Sequence, residues 1–253
     1  MCPPAVYRPG VRLAAGDAQE RRKERAGRAG ADLVSDGDIV GLGTGSTASF
    51  AILRLGERVA EGLRILGIPT SVESERLALE AGIPLTTLEE HPDIDITIDG
   101  ADEVDPNLDL IKGLGGALLR EKIVAYATRR EVIVVDPSKL VDRLGTRAPL
   151  PVEVTAYGHA AVARRLRALG CEPALRPRKA PGSGPFVTDN GNLIYDCRFD
   201  GIPDPAALER RIDAIPGVVE CGLFVGLAAV VIAASEGGLD VRQRAPGRPP
   251  APG

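Results

Sequence analysis

The amino-acid sequence predicts an α/β protein: a parallel-sheet domain, then a smaller α+β domain, then a return of the chain to the first sheet. Three observations predict it. Short apolar runs such as Val132–Val135 alternate with helical patterns from Asp17 to Arg129, the order that builds a parallel sheet with right-handed crossovers. After Pro149-Leu150-Pro151 the order changes, and Asp189-Asn190-Gly191-Asn192 gives a hairpin turn signal. The length of 253 residues also exceeds one average domain of about 150.

The elements follow in order. A helix runs from Asp17, a suitable N-cap, to Leu33, and Ser35-Asp36-Gly37 ends it. Asp38–Leu42 is a strand entering a glycine-rich turn, and Thr47–Glu61 is the next helix. Arg64–Leu66 reads as a strand, Val72–Ala81 as a helix and Ile94–Ile98 as a strand. The cluster Gly113–Gly116 opens a helix through Arg129, and Val132–Val135 is a buried strand. In the smaller domain, a strand at Val152–Val154 precedes a helix over His159–Leu169. Phe186–Thr188 and Leu193–Tyr195 flank the hairpin turn. A helix at Pro205–Ala214, a strand at Val218–Phe224 and the returning strand Ala228–Ala233 complete the pattern. The domain division is 17–146 plus 222–242 for the larger unit and 147–221 for the smaller. Residues 1–16 and 243–253, rich in proline and glycine, are expected to be flexible termini.

Composition narrows the function classes. Hydrophobic residues are 44% and charged residues 26% of the chain, with a net charge of -4, which gives no general attraction to nucleic acid or anionic membrane. No apolar run reaches the roughly 20 residues of a membrane helix, and no signal-peptide pattern follows Met1-Cys2. Cysteines at 2, 171, 197 and 221 form no CxxC, and His91 and His159 lie near none of them. A zinc site is therefore not expected. The expectation is a reduced, cytoplasmic protein with a small-molecule ligand, no metal and no cofactor.

Chemistry-bearing residues collect at strand ends. Gly41-Leu42-Gly43-Thr44-Gly45-Ser46-Thr47 sits where strand turns into helix, offering backbone N–H groups and the hydroxyls of Thr44, Ser46 and Thr47 to an anion. A dinucleotide fingerprint would need glycine where Ser46 stands, and no Walker A lysine is present. A small phosphate or carboxylate is the better ligand. Asp99-Gly100-Ala101-Asp102-Glu103 follows the strand at Ile98, at the end where ligands bind in open α/β sheets. Its three carboxylates repel one another unless cations or substrate hydroxyls engage them. Lys112-Gly113-Leu114-Gly115-Gly116 is a flexible loop with one lysine, and Glu121 lies in the helix behind it, a candidate general base. Asp136-Pro137-Ser138-Lys139 closes another strand end. Only five residues, at 23, 112, 122, 139 and 179, are lysine among 31 basic ones. Lys112 and Lys139 gain weight from their surroundings.

These blocks, with Pro149–Val154, Val187–Asn192 and Ile215–Val219, occur in an order that resembles the ribose-5-phosphate isomerase A family over roughly residues 17–242. The resemblance implies a Rossmann-like domain with a ferredoxin-like lid, dimers or tetramers, and no metal. It implies isomerisation of D-ribose 5-phosphate to D-ribulose 5-phosphate through an enediolate, in the non-oxidative pentose phosphate pathway. By the same resemblance, Thr44, Gly45, Ser46, Thr47, Asp99, Gly100, Ala101, Asp102, Lys112, Gly113, Leu114, Gly115 and Lys139 bind substrate. Glu121 is the proton-transferring base, helped by Asp99, Asp102 and Lys112.

Two residues depart from the family pattern: Leu114 stands at a loop glycine, and Leu119 precedes Arg120-Glu121-Lys122 where threonine is frequent. If position 114 needs a positive φ, leucine strains it and lowers turnover. Two rivals share the architecture. A phosphosugar-sensing regulator would need a DNA-binding helix-turn-helix, and residues 1–36 hold one helix and a proline-rich leader. A CoA transferase would use a glutamate as nucleophile.

Overall fold

The computed structural model describes residues 18–178 and 184–244. The chain begins with helix α1 (Ala18–Ala31), strand β1 (Ile39–Leu42), α2 (Ala48–Ala60), β2 (Leu66–Pro69), α3 (Val72–Glu80) and β3 (Ile96–Asp99). Two short strands, β4 (Glu103–Val104) and β5 (Leu110–Ile111), precede α4 (Leu118–Tyr126) and β6 (Glu131–Val135). Next come β7 (Leu150–Val154), α5 (His159–Arg167), β8 (Glu172–Leu175), β9 (Leu193–Arg198), α6 (Pro205–Asp213) and β10 (Val218–Cys221). Strands β11 (Leu223–Phe224), β12 (Ala228–Ser235) and β13 (Gly238–Gln243) end the described chain.

The main sheet has the order β13-β12-β6-β3-β1-β2. Its neighbours are parallel except for the β12–β13 hairpin. Alternation along β6 shows why the run is apolar throughout. Val132 and Val134 join the cluster that contains Ala26 of α1 and Ile52 of α2, while Ile133 and Val135 pack with Phe224 on the opposite face. From β1 the chain moves to β2 on one side and later to β3 on the other. That reversal opens a crevice at the carboxyl ends of β1 and β3.

The smaller sheet has the order β10-β7-β9-β8 and is antiparallel throughout. Its βαββαβ sequence of elements is the ferredoxin-like arrangement. Helices α5 and α6 bury Val162, Leu166, Leu208 and Ile212 against it. Both passages between the sheets are tied down. On the outward passage the buried Glu103 carboxylate accepts the N–H groups of Gly145, Arg147 and Ala148, each at 2.6 Å. On the return, Gly222 donates to the Pro151 carbonyl at 2.8 Å and accepts the Lys112 N–H at 2.9 Å. A Cβ at Gly222 would lie 2.3 Å from the Lys112 oxygen, so only glycine permits this approach.

Several expectations shift. The strand expected over Val218–Phe224 is two strands in different sheets, divided at Gly222. The strand expected at Arg64–Leu66 lies later, because Gly67, Ile68 and Pro69 pair with Val40, Gly41 and Leu42. Gly67 and Pro69 hide that strand from propensity. The turn at 189–192 forms, with Thr188 donating to the Asn192 carbonyl at 2.9 Å, but its first arm is a single bridge, Val187 to Leu193. Strand β9 pairs with β7 and β8 instead.

Residues 243 and 244, expected in a loose C-terminus, are ordered. Gln243 pairs with Val230 in β13. Arg244 donates to the Ala228 and Leu108 carbonyls, both at 2.9 Å, and pairs with Asp109 at 3.1 Å. Its guanidinium thereby satisfies a turn in which Leu108 has φ +60°. Residues 245–253 and 1–16, with the expected cap Asp17, lie outside the described residues. Among the described residues no helix is long and apolar enough to cross a membrane.

Candidate active site

The crevice holds a cleft of about 160 Å³ lined by the β1–α2 turn, the segment after β3, the loop between β5 and α4, and Lys139 after β6. Helix α1 adds Gln19 and Lys23. Thr44, Gly45, Ser46, Thr47, Gly100, Ala101, Asp102, Lys112, Gly113, Gly115, Glu121 and Lys139 all reach its wall. Four strand-end segments thus converge as the strand-end argument expects.

At the base of the cleft lies a buried charge cluster. The Lys112 ammonium is 2.9 Å from Asp99 Oδ2 and 3.6 Å from Glu121 Oε2, and donates to the Gly100 carbonyl at 2.6 Å. The three side chains are 2%, 1% and 4% exposed. Burial works to discharge the ammonium, but Asp99 first and then Glu121 outweigh it and hold Lys112 protonated, above its ordinary value. Burial pushes the Glu121 carboxyl up to about 8, with Lys112 opposing and Asp99 and Asp102 reinforcing the rise. Its Oε2 has no hydrogen-bond partner among the described residues. Asp102 is raised by burial too, offset by the Leu114 N–H that its Oδ2 accepts at 2.9 Å. Glu131, buried at the start of β6, is raised well above the ordinary range by burial and then by Asp99.

Some expected residues hold other posts. Asp99 does not reach the cleft wall. Its Oδ1 accepts the N–H groups of Thr44 at 3.1 Å and Gly100 at 2.7 Å while Oδ2 holds Lys112. Both oxygens are therefore engaged inside the protein. The Thr44 hydroxyl bonds to the Thr70 and Ser71 hydroxyls at 2.8 and 2.7 Å, which joins the loop to the cap of α3. Ser46 and Thr47 are freer. No side chain caps α2 at Thr47; Ser49 and Phe50 donate to the Gly45 and Thr47 carbonyls, and the Ser46, Thr47 and Ala48 N–H groups, which have no acceptor among the described residues, remain open to an anion.

Leu114 corrects the strain expectation. The positive-φ residues of the loop are Gly113 (φ +99°) and Gly116 (φ +92°), and Leu114 is not among them. Its side chain is exposed and does not line the cleft. Leu114→Gly should therefore bring no gain in turnover, with kcat/KM held within about twofold or reduced through the added backbone freedom of glycine. Steady-state kinetics showing a severalfold rise would restore the strain argument.

Two residues escaped the sequence reading. Lys23 was one of five lysines, a signal that existed and was given to Lys112 and Lys139 alone. Arg176 gave none, standing as one arginine of many. After β8 it crosses to the loop and donates from Nη1 to the carbonyls of Gly113 at 3.0 Å and Leu114 at 3.2 Å.

The chain is similar to known proteins in sequence and in fold. A family model, ribose 5-phosphate isomerase A (phosphoriboisomerase A), matches residues 66–238. Ribose-5-phosphate isomerase A of Gloeobacter violaceus is 57% identical over 220 residues, covering 87% of this chain and 94% of the relative. The ribose 5-phosphate isomerase A structure from Methanocaldococcus jannaschii superposes with a TM-score of 0.85 at 44% identity, over 89% of this chain and 99% of that one. A D-ribose-5-phosphate isomerase in complex with phospho-erythronic acid gives 0.86 at 40% identity, over 89% and 99%. With the buried lysine–carboxylate cluster set at the sheet's crevice, these matches leave one conclusion: the chain belongs to the ribose-5-phosphate isomerase A family.

Proposed function

We propose that Glu121 is the base with which this isomerase interconverts D-ribose 5-phosphate and D-ribulose 5-phosphate. The supporting observation is its buried carboxylate at the cleft wall, one oxygen unpartnered and 3.6 Å from the Lys112 ammonium. The proton on C2 of the open-chain aldose passes to Glu121, the C–H electron pair forms the C1=C2 bond, and the C1=O1 π pair moves onto O1 to give an enediolate. Glu121 returns the proton to C1, the hydroxyl proton crosses from O2 to O1, and the ketose results. Nothing is oxidised or reduced overall.

A developing oxyanion needs a cation or fixed donors in a site shielded from water. Lys112 supplies the cation and the Gly113–Gly116 backbone the donors. Asp99 holds Lys112 from below. Asp102, with Oδ2 on the loop, keeps its other oxygen for a sugar hydroxyl. The phosphate goes to the end of the cleft where Lys23, Lys139, Ser46 and Thr47 stand beside the open N-terminus of α2. The related structure with phospho-erythronic acid, a phosphorylated sugar acid, supports a ligand of that class. A coupled assay with ribose 5-phosphate tests the reading; no ribulose 5-phosphate from folded protein would sink it.

The reaction is proposed to run without a metal, because the Lys112 ammonium already occupies the place between Asp99 and Glu121 that a cation would take. EDTA should leave turnover within about twofold. Complete loss, restored by a divalent ion, would instead make the site carboxylates ligands.

The division at residues 147 and 221 is proposed on the ground that the smaller sheet and its two helices supply most of one apolar cluster, which Ile111, Leu144 and Leu223 of the larger unit complete. Self-association as a dimer or tetramer is proposed as well, supported by the exposed Ile123 and Tyr126 beside a second, largely apolar groove. A reduced cytoplasmic setting fits the buried free thiols of Cys171, Cys197 and Cys221.

A further inference from the structure

Arg176 belongs to the smaller domain, yet its contacts converge on the loop of the larger one. Its guanidinium is 11% exposed. Nε donates to Asp196 Oδ2 at 2.9 Å and Nη2 pairs with Asp196 Oδ1, a bidentate clamp that fixes the fork. The remaining nitrogen, Nη1, reaches the carbonyls of Gly113 and Leu114. Phe186 lies under the guanidinium, 5.8 Å from ring centre to Cζ. The same ring meets the loop: a Cβ at Gly116 would fall 2.5 Å from its Cζ. The loop is thus seated on a surface made by Arg176 and Phe186.

The consequence follows from peptide geometry. No peptide bond among the described residues is cis, so each C=O points opposite to the N–H across the same bond. The Leu114 carbonyl faces Arg176, which turns the Gly115 N–H the other way, and Gly115 lines the cleft. That N–H has no hydrogen-bond acceptor among the described residues. The preceding peptide is fixed at both ends, with the Gly113 carbonyl on Arg176 and the Leu114 N–H on Asp102. A cation on the carbonyl side also polarises the peptide and strengthens its N–H as a donor.

We infer that Arg176 is a positioning residue for the isomerisation, holding the Leu114–Gly115 peptide so that the Gly115 N–H is aimed at the enediolate oxygen. The inference rests on the reading that the 112–116 loop carries the oxyanion. Arg176 touches no substrate. Its effect therefore belongs in the chemical step and not in binding.

The test compares Arg176→Ala and Arg176→Lys in the full chain, measuring kcat, KM and melting temperature. Losing a fixed oxyanion donor typically costs about 10²–10³ in kcat. Since the peptide is loosened and not removed, Arg176→Ala should lose about 10–10²-fold, with KM within about threefold. Arg176→Lys keeps a charge, but its one nitrogen cannot hold Asp196 and reach both carbonyls at once, so it should melt near the wild type and still lose about tenfold in kcat. A wild-type kcat in Arg176→Lys overturns the inference, even if Arg176→Ala fails to fold. So does a loss that appears as a rise in KM at unchanged kcat. Glu121→Gln separates this result from the underlying reading. If that variant stays active while Arg176→Lys loses kcat, the base is misassigned and the loop is not.

Discussion

Glu121→Gln is expected to lower kcat by at least about 10²–10⁴-fold, the range of a general base, and to abolish exchange of the substrate C2 hydrogen with solvent deuterium. The amide nearly keeps the shape and its oxygen can still face the Lys112 ammonium, but it cannot accept a proton from carbon. KM should move little, because Lys23, Lys139 and the β1–α2 turn remain in place. The pH profile of the unaltered protein gives a second arm. A base must be ionised, and burial lifts Glu121 to about 8. Thus kcat/KM should climb with rising pH towards that value, and not level off near the 4.3 or so of an ordinary glutamate. A variant keeping more than about a tenth of wild-type kcat, well short of the general-base loss, would pass the role to Asp102.

Lys112→Met should be the most damaging change to the fold. The ammonium is the cation between two buried carboxylates, 2.9 and 3.6 Å away. Removing one member of a buried pair strands the other charge and costs about 3–5 kcal/mol. Here Asp99 loses its counter-charge, and Glu121 and Glu131, both raised by burial, lose the cation that opposes that rise. The methionine fills similar space beside Phe224, whose ring centre lies 5.4 Å from the ammonium, so the loss is electrostatic more than steric. Urea unfolding should show it. A difference below about 1 kcal/mol, the scale of a surface pair, would mean that the cluster contributes no more than exposed charges do. Turnover should be absent at any pH at which the variant is folded.

The site was legible where chemistry demands a residue type at a strand end. Glycine and hydroxyls after β1, the acidic run after β3 and the lysine loop before α4 each announced themselves locally, and the crevice joined them. Leu114 was misread because the glycine pattern does not say which of its members carries a positive φ. Sequence could not show that Asp99 also holds Lys112 and two N–H groups, or that the Thr44 hydroxyl is tied to Thr70 and Ser71. Arg176 lies 60 or so residues beyond the loop it holds, and such pairing is visible only after folding. The short strands β4, β5 and β8 escaped for another reason: two to four residues carry too little periodicity to register.

The two tied passages between the sheets bear on how the cleft admits and releases its ligand. A hinge needs a few backbone positions free to change φ and ψ. Here the outward connection is locked by three N–H groups on the Glu103 carboxylate, and the return is locked by a glycine bonded to both sheets. Rotation of the smaller domain would break all of these bonds at once, and would pull on the Lys112 backbone through Gly222. The lightest attachment near the cleft is the 189–190 turn, which meets Val72 and Arg120 through one hydrogen bond each. Ligand passage at that turn would leave the lysine, tied through Gly222, where the chemistry needs it.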